Sequence, residues 1–356
     1  MRLVNIAYVD DGDVLARPLV SPNGRVLLQA GVKLTRNYID KLSSLGFDTM
    51  FIIDDDFQDV EIYSAVSART RETAYDSIKN LSRSINESQP RALNLDEIQN
   101  AVQDIISDLL YSKDMLGNVI DIQGYDDYTF HHSLNTTIIA LIMAISMGWS
   151  NTKLLELGMG VLMHDVGKIK VPPEILNKRG PLTPEEFEEI KKHAEYGFEI
   201  LRKNKDISLL SAHVALQHQE RWDGSGYPRG LKGMQIHEYG RLAAVADVYE
   251  ALTSKRVYRD ALQPYEAYEY VLANANKLFE PKVVKNTFSK CIAPYPTGSG
   301  VQLSNGFRGN VVKQNPYLPT RPSVRMTHEA DIRLIAPIDY DLAEHPSLII
   351  VSVENK

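Results

Sequence analysis

The sequence predicts a multi-domain α+β chain: a central all-α bundle, with a small α/β module before it and a small β domain after it. Three observations carry this. From about residue 126 to 293 nearly every segment looks helical, broken by Pro172-Pro173 and the turn-rich stretch 223–228. Before residue 56 and after residue 294, short apolar β segments alternate with turn signals. A length of 356 residues also exceeds what one hydrophobic core usually holds.

Residues 1–56 form the expected N-terminal module. Arg25-Val26-Leu27-Leu28 follows the turn pair Asn23-Gly24, and Thr35 can cap a short helix whose apolar face is Ile39, Leu42 and Leu45 and which Gly46 can end. The run Asp54-Asp55-Asp56 reads as a solvated domain edge. Residues 57–118 read as a helical connector, with Ile98, Val102, Ile105, Ile106 and Leu109 at helical spacing. Such a stripe either packs on its own domain or pairs with a second chain, so a homodimer through the connector is one of two expected outcomes. Within residues 119–293 the longest apolar run, 138–149, is shorter than the roughly 20 residues that cross a bilayer, and reads as a buried helix with no membrane span. Residues 294–356 open on Pro294-Tyr295-Pro296. Strand-like segments at 301–304, 311–312, 324–326 and 348–351, the first followed by Asn305-Gly306, predict a small β domain.

Bulk properties narrow the function. Hydrophobic content of 44% with 24% charged residues is globular composition. A net charge of -7 argues against binding a DNA or RNA polymer, which requires neutralising many phosphates. Basic residues nevertheless gather locally at Arg221, Arg229, Lys232, Arg241, Lys255, Arg256 and Arg259, which suits a small anionic ligand. Asp10-Asp11 interrupts any signal-peptide core, and the single Cys291 fits a reducing compartment, so a cytoplasmic location is expected.

The chemistry begins at His164-Asp165. An imidazole beside a carboxylate suits a divalent metal such as Fe, Mn or Zn, and the two oxygens of Asp165 allow it to bridge two ions. His132, His193, His218 and Asp247 lie on separate predicted helices whose apolar faces can converge, as ligands do in helical bundles. For His193 the placement is explicit. Leu182, Thr183, Pro184, Glu186 and Phe187 form a helix start, and Phe187, Ile190, Ala194, Gly197 and Leu201 form a buried stripe with His193 at its edge. A lone histidine on such a face is also the mark of a hydrogen-bonded core residue, so spacing leaves both readings open. His131, about 100° around the helix from His132, reads as a bystander. His213, His237, His328 and His345 read as structural or surface residues.

These segments resemble the HD-GYP family of the HD metal-dependent phosphohydrolase superfamily. The resemblance rests on residues 128–133, on His164-Asp165-Val166-Gly167-Lys168, on the helix at 182–197, on residues 218–228 with Gly226-Tyr227-Pro228, and on residues 247–259. It implies metal ligands at His132, His164, Asp165, His193, His218 and Asp247, and phosphate or substrate contacts at Lys168, Tyr227, Arg256 and Arg259. It also implies hydrolysis of cyclic di-GMP to pGpG or GMP by a hydroxide bridging two divalent ions, Fe or Mn first and Zn, Ni or Mg next. Asp165 and Lys168 would carry the catalysis, Asp165 as the bridge and Lys168 as a stabiliser of phosphoryl charge. Three residues depart from the family pattern. Gln219 replaces a second histidine, so one ion is expected to be held weakly or completed by water. Tyr128 replaces a glutamate found where three metals bind, so a third ion is not expected. Glu250 replaces an aspartate and keeps the charge. Gln219 also motivates an alternative, a degenerate sensor that binds a cyclic or linear dinucleotide without turnover.

Overall fold

A computed structural model describes residues 1–20, 26–62, 64–86, 95–112, 128–178, 180–255 and 261–354. In the N-terminal module β1 (Arg2–Asn5) pairs antiparallel with β4 (Thr49–Ile52), and β2 (Leu19–Val20) with β3 (Val26–Leu28). Between them lies α1 (Arg36–Ser44), whose N-cap Thr35 accepts a hydrogen bond from the Tyr38 amide. Ile39 and Leu42 are buried as expected, but Leu45, at the C-cap, is exposed, because the helix ends before its third apolar residue turns inward. The Asn23-Gly24 turn and Arg25 lie outside the described residues. The aspartate run is a tied edge rather than a free one: Arg2 pairs with Asp54 at 2.7 Å and Arg333 with Asp56 at 2.8 Å.

Helices α2 (Ala68–Asn86) and α3 (Asp96–Tyr111) join the central core directly. Ile98, Val102, Ile105, Ile106 and Leu109 are buried in one cluster with residues of the helices that follow. The stripe on which pairing with another chain was expected is thus covered within the chain, and a homodimer would need a different face. The bundle continues with α4 (Tyr128–Ser146), α5 (Asn151–Leu162), a 3-10 helix at Val166–Lys170, α6 (Pro173–Leu176), α7 (Pro184–Lys191), α8 (His193–Leu201), α9 (Leu209–Gln217), α10 (Glu238–Thr253) and α11 (Pro264–Ala273). Helix α10 packs on α4 and α9, α5 packs on α4 and α9, and α8 lies against α9 and the 3-10 helix. None of the described helices is long and apolar enough to cross a membrane.

The C-terminal domain is a five-stranded antiparallel sheet in the order β8-β7-β6-β5-β9, formed by β5 (Gly300–Leu303), β6 (Phe307–Lys313), β7 (Ser323–Glu329), β8 (Ile332–Asp341) and β9 (Ile350–Val353). Strand β8 has no counterpart among the segments read from the sequence. It is an edge strand, so Pro337 costs it no interior ladder bond, and most of its residues are exposed, which erases the alternation that marks a half-buried strand. Arg325 on β7 joins this sheet to the N-terminal module, donating to the Asp56 carbonyl at 2.9 Å and pairing with Asp59.

Candidate metal centre

The six residues singled out as ligands meet in one place, and all are buried: His132, His164, Asp165, His193, His218 and Asp247. Local sequence delivers each of them. Helix α5 starts on the Ser150 cap and ends at Met163, so the chain turns just as His164 and Asp165 are presented. Helix α7 starts on the reciprocal Thr183–Glu186 capping box with Pro184 in its first turn, the α-helical pattern is interrupted at Lys192, and α8 begins at His193. His218 caps the C-terminus of α9. Asp247 sits on α10, and Glu250, one turn later, shares its face.

A common device aims three of the four imidazoles. The Nδ1 of His164 lies 2.7 Å from the Val161 carbonyl, that of His193 2.7 Å from the Ile190 carbonyl, and that of His218 2.9 Å from the Ala215 carbonyl. A carbonyl only accepts, so each Nδ1 carries the proton and each Nε2 offers a lone pair to the centre. His132 is in the interior of α4, where preceding carbonyls are used by the helix. Its Nδ1 donates instead to the Glu250 carboxylate, which also accepts from the Ser254 hydroxyl at 2.6 Å. Glu250 is therefore an orienting partner for a ligand, a role that sequence reading missed when it credited this residue only with keeping charge. Its spacing of three from Asp247 was the available signal.

Asp165 lies between two imidazole pairs. Its Oδ2 faces the Nε2 atoms of His132 and His164 at 3.7 and 3.4 Å, while its Oδ1 faces those of His193 and His218 at 3.5 and 3.8 Å. Asp247 Oδ1 stands 3.1 Å from His132 Nε2 and 4.0 Å from His164 Nε2. Two groups of potential ligands result, His132–His164–Asp165 and Asp165–His193–His218, sharing the one carboxylate.

Two features fit a cation better than a metal-free core. Asp165 Oδ1 is buried and accepts no hydrogen bond, whereas buried carboxylate oxygens are normally satisfied. The Nε2 atoms of His193 and His218 face each other at 3.2 Å as lone pairs, which repel unless a positive charge lies between them. That separation suits two nitrogens bound to one cation at roughly 2.1 Å each. The donor set, imidazole nitrogens with carboxylate oxygens, suits divalent metal binding.

The charges are arranged accordingly. Burial would raise the Asp165 carboxyl, but Lys168 and His164 outweigh it and hold the group well below the ordinary carboxylate range. Asp247 is likewise held low by His132 against the opposing effect of burial. Burial pushes His193 down, and it pushes His218 well down with help from His164 and His193, which keeps both neutral. For His132 burial is outweighed by Glu250 and Asp247, and the imidazole is raised to about 9. A metal ligand must be neutral, and His132 binds a proton below about 9, so metal affinity falls as pH falls. Titration of Mn2+ from about pH 8 down to about pH 7 is expected to show roughly tenfold weaker binding; equal affinity at both pH values would contradict this charge balance. Glu250→Ala, which removes the orienting acceptor, is expected to weaken metal binding by roughly 10- to 100-fold in the same titration.

Other expected residues take definite places. Lys168 Nζ pairs with Asp165 Oδ2, at the rim of the centre. Tyr227 places its ring 6.1 Å from that of His193. Gln219 is at the centre without being oriented as a ligand: its Nε2 donates to Asp247 Oδ2 at 3.2 Å and its Oε1 accepts from Arg221 at 3.1 Å. Arg256 and Arg259 lie outside the described residues, as does the Tyr128 side chain. Phe187 is not part of the buried stripe but 45% exposed, and no residue of α7 is buried. Ala194, Gly197 and Leu201 are buried as expected.

A second missed residue is Glu220. It is buried, and its two oxygens accept from the Arg229 and Leu231 amides at 2.8 and 2.9 Å, closing the loop that carries Tyr227. Gly226 belongs to the same clamp, because a Cβ there would stand 2.4 Å from the Arg221 amide nitrogen and the Gln219 carbonyl oxygen.

Helical bundle and buried His/Asp centre together define an HD-domain protein, and the HD-domain family model matches residues 106–283. The chain belongs to that family and, with the loop at residues 218–228, to its HD-GYP branch. A KOW domain associated with HD domains matches residues 300–356, the C-terminal sheet. A cyclic di-GMP phosphodiesterase from Pseudomonas aeruginosa is 33% identical over 247 residues, 69% of this chain and 59% of that protein. A cyclic di-GMP phosphodiesterase from Thermotoga maritima is 40% identical over 184 residues, 51% of this chain and 49% of that protein. The chain thus spans roughly half the length of these curated relatives. Among solved structures, an HDGYP protein from Bdellovibrio bacteriovorus aligns over 80% of this chain and 96% of its own, with a TM-score of 0.52 and 15% identity, a likeness of fold.

Proposed function

We propose that this chain hydrolyses a 3′–5′ phosphodiester of a cyclic dinucleotide, converting cyclic di-GMP to pGpG or GMP, with two divalent ions held at its buried centre. The observation that carries this reading is Asp165, whose two oxygens face separate imidazole pairs. His132, His164, Asp165 and Asp247 would hold one ion, and Asp165, His193 and His218 the other. Fe or Mn suits this mixture of nitrogen and oxygen donors, with Zn, Ni or Mg as further options. When bound, such ions supply Lewis acidity toward a phosphoryl oxygen and lower the pKa of water.

The chain's own groups supply the remainder. Lys168, 27% exposed at the rim, can turn an ammonium hydrogen from Asp165 to a non-bridging phosphate oxygen. Burial, with Asp247 and Asp165 nearby, raises the Tyr227 phenol, so its hydroxyl keeps its proton and acts as a donor. Arg256 and Arg259 are proposed as further phosphate contacts on the family resemblance. Gln219 ties Asp247 to Arg221, and all six candidate ligands converge with glutamine at this position. The convergence favours turnover over a degenerate sensor.

Protein loaded with Mn2+ or Fe2+ is expected to cleave cyclic di-GMP, and the same protein after chelation is not. Cyclic di-GMP, pGpG and 3′3′-cGAMP all left intact by protein carrying two metals per chain would contradict the proposal. Nucleotide binding without turnover at that metal content would favour the sensor.

A further inference from the structure

We infer that Phe187, Tyr227 and Lys191 form a docking face for a guanine base beside the metal centre, with Phe187 as stacking surface and Lys191 as the group that selects guanine over adenine. The inference rests on the phosphodiesterase reading only in placing a phosphate at the His/Asp centre.

The aromatic rings step outward from that centre. The ring of His193, a candidate ligand, is 6.1 Å from that of Tyr227, and Tyr227 is 6.4 Å from Phe187, both edge-to-face. Tyr227 comes from the loop after α9, whereas Phe187 comes from the first turns of α7, so two elements distant in sequence build one surface. Phe187 is 45% exposed on a helix that opens with a complete capping box, a position from which the alternative, burial of the ring in the bundle, is absent. In a nucleotide the base lies about one sugar beyond its phosphate, which matches one ring beyond the ligand for Tyr227 and two for Phe187. Stacking on an aromatic ring accepts any base, because every base has a π-face.

Lys191 adds discrimination. Its ammonium stands 4.9 Å from the centre of the Phe187 ring and 5.8 Å from that of Tyr227. The spacing of four residues explains the contact with Phe187 within one helix; the contact with Tyr227 crosses between elements. Lys191 also pairs with Glu188 at 2.6 Å, but Glu188 is 67% exposed and water screens that bond. A lysine has three donors and no acceptor. Guanine presents O6 and N7 as acceptors on one edge, whereas adenine presents a donor, N6, beside N7. The ammonium lies over the Phe187 ring, so a base that stacks on that face moves it to the base edge, where it gains more from guanine.

The test is calorimetric binding of GMP, AMP and inorganic phosphate to Mn2+-loaded protein, which needs no turnover. Wild type is expected to bind GMP about tenfold more tightly than phosphate, within the range of stacking on one aromatic side chain. Phe187→Ala should bring GMP to within about twofold of phosphate and leave phosphate unchanged. Lys191→Met, which keeps an unbranched apolar stem, should lower GMP to the level of AMP and leave AMP unchanged. Absence of GMP binding, GMP no tighter than phosphate in wild type, or an equal loss for GMP and phosphate in Phe187→Ala would overturn the inference. Failure to cleave cyclic di-GMP, with the GMP preference intact, would remove the phosphodiesterase reading and leave the base site standing.

Discussion

Asp165→Asn is expected to empty both halves of the centre at once, lowering bound metal from the proposed two ions per chain to less than one and the proposed hydrolysis by at least about 10³-fold. The substitution keeps the shape and removes the charge. An amide nitrogen offers no lone pair to a cation, and the remaining oxygen faces one imidazole pair or the other, not both. A loss of that size corresponds to ~4 kcal/mol of transition-state stabilisation. The fold is expected to survive, because Lys168, which loses its partner, is 27% exposed and can turn to water. Elemental analysis and cyclic di-GMP turnover, with near-ultraviolet circular dichroism as the control for folding, decide the matter. A variant that keeps both ions would refute a shared carboxylate.

Gly167→Ala should lower stability strongly. A Cβ at this position would stand 2.0 Å from the His193 carbonyl oxygen and 2.4 Å from the Gly197 amide nitrogen. Both are backbone atoms, so no side-chain rotation relieves the overlap, and the 3-10 helix must separate from α8. Overpacking of a tight core typically costs about 1–3 kcal/mol and occasionally more; with backbone on both sides the upper end, ~3 kcal/mol, is expected, a fall of roughly 6–12 °C in Tm. The same separation moves Asp165 from His193, so the half of the centre containing His193 and His218 should lose metal first. Thermal unfolding and metal content, measured together, check both consequences. An alanine variant with unchanged Tm would show that the two segments are not in backbone contact.

Much of this arrangement could be read from the chain because its signals are local. The capping box at Thr183 and Glu186, the break after α5, and the loop at residues 218–228 are each written within a few residues, and they deliver His193, His164 and His218. What could not be read is convergence across long separations. Glu250 reaches His132 across 118 residues of sequence, and its spacing of three from Asp247 places it on that face without naming His132 as its partner. Nor does a histidine's own segment reveal that the carbonyl three residues earlier will fix its tautomer, since that depends on where the helix ends. For Phe187 the amphipathic spacing is carried through Lys192, where α7 gives way to α8, and α7 buries none of its residues. Strand β8 was missed because an edge strand with Pro337 and exposed isoleucines carries little alternation. Sequence patterns report burial, and these residues are ordered by other means.

One buried aspartate, Asp165, stands between two groups of potential ligands and is proposed to divide two metal positions. Anomalous diffraction from crystals grown with Mn2+ tests it most directly. Two peaks are predicted, one against His132, His164 and Asp247 and the other against His193 and His218, with Asp165 between them. A single peak, or a pair of peaks that Asp165 does not bridge, would contradict the account.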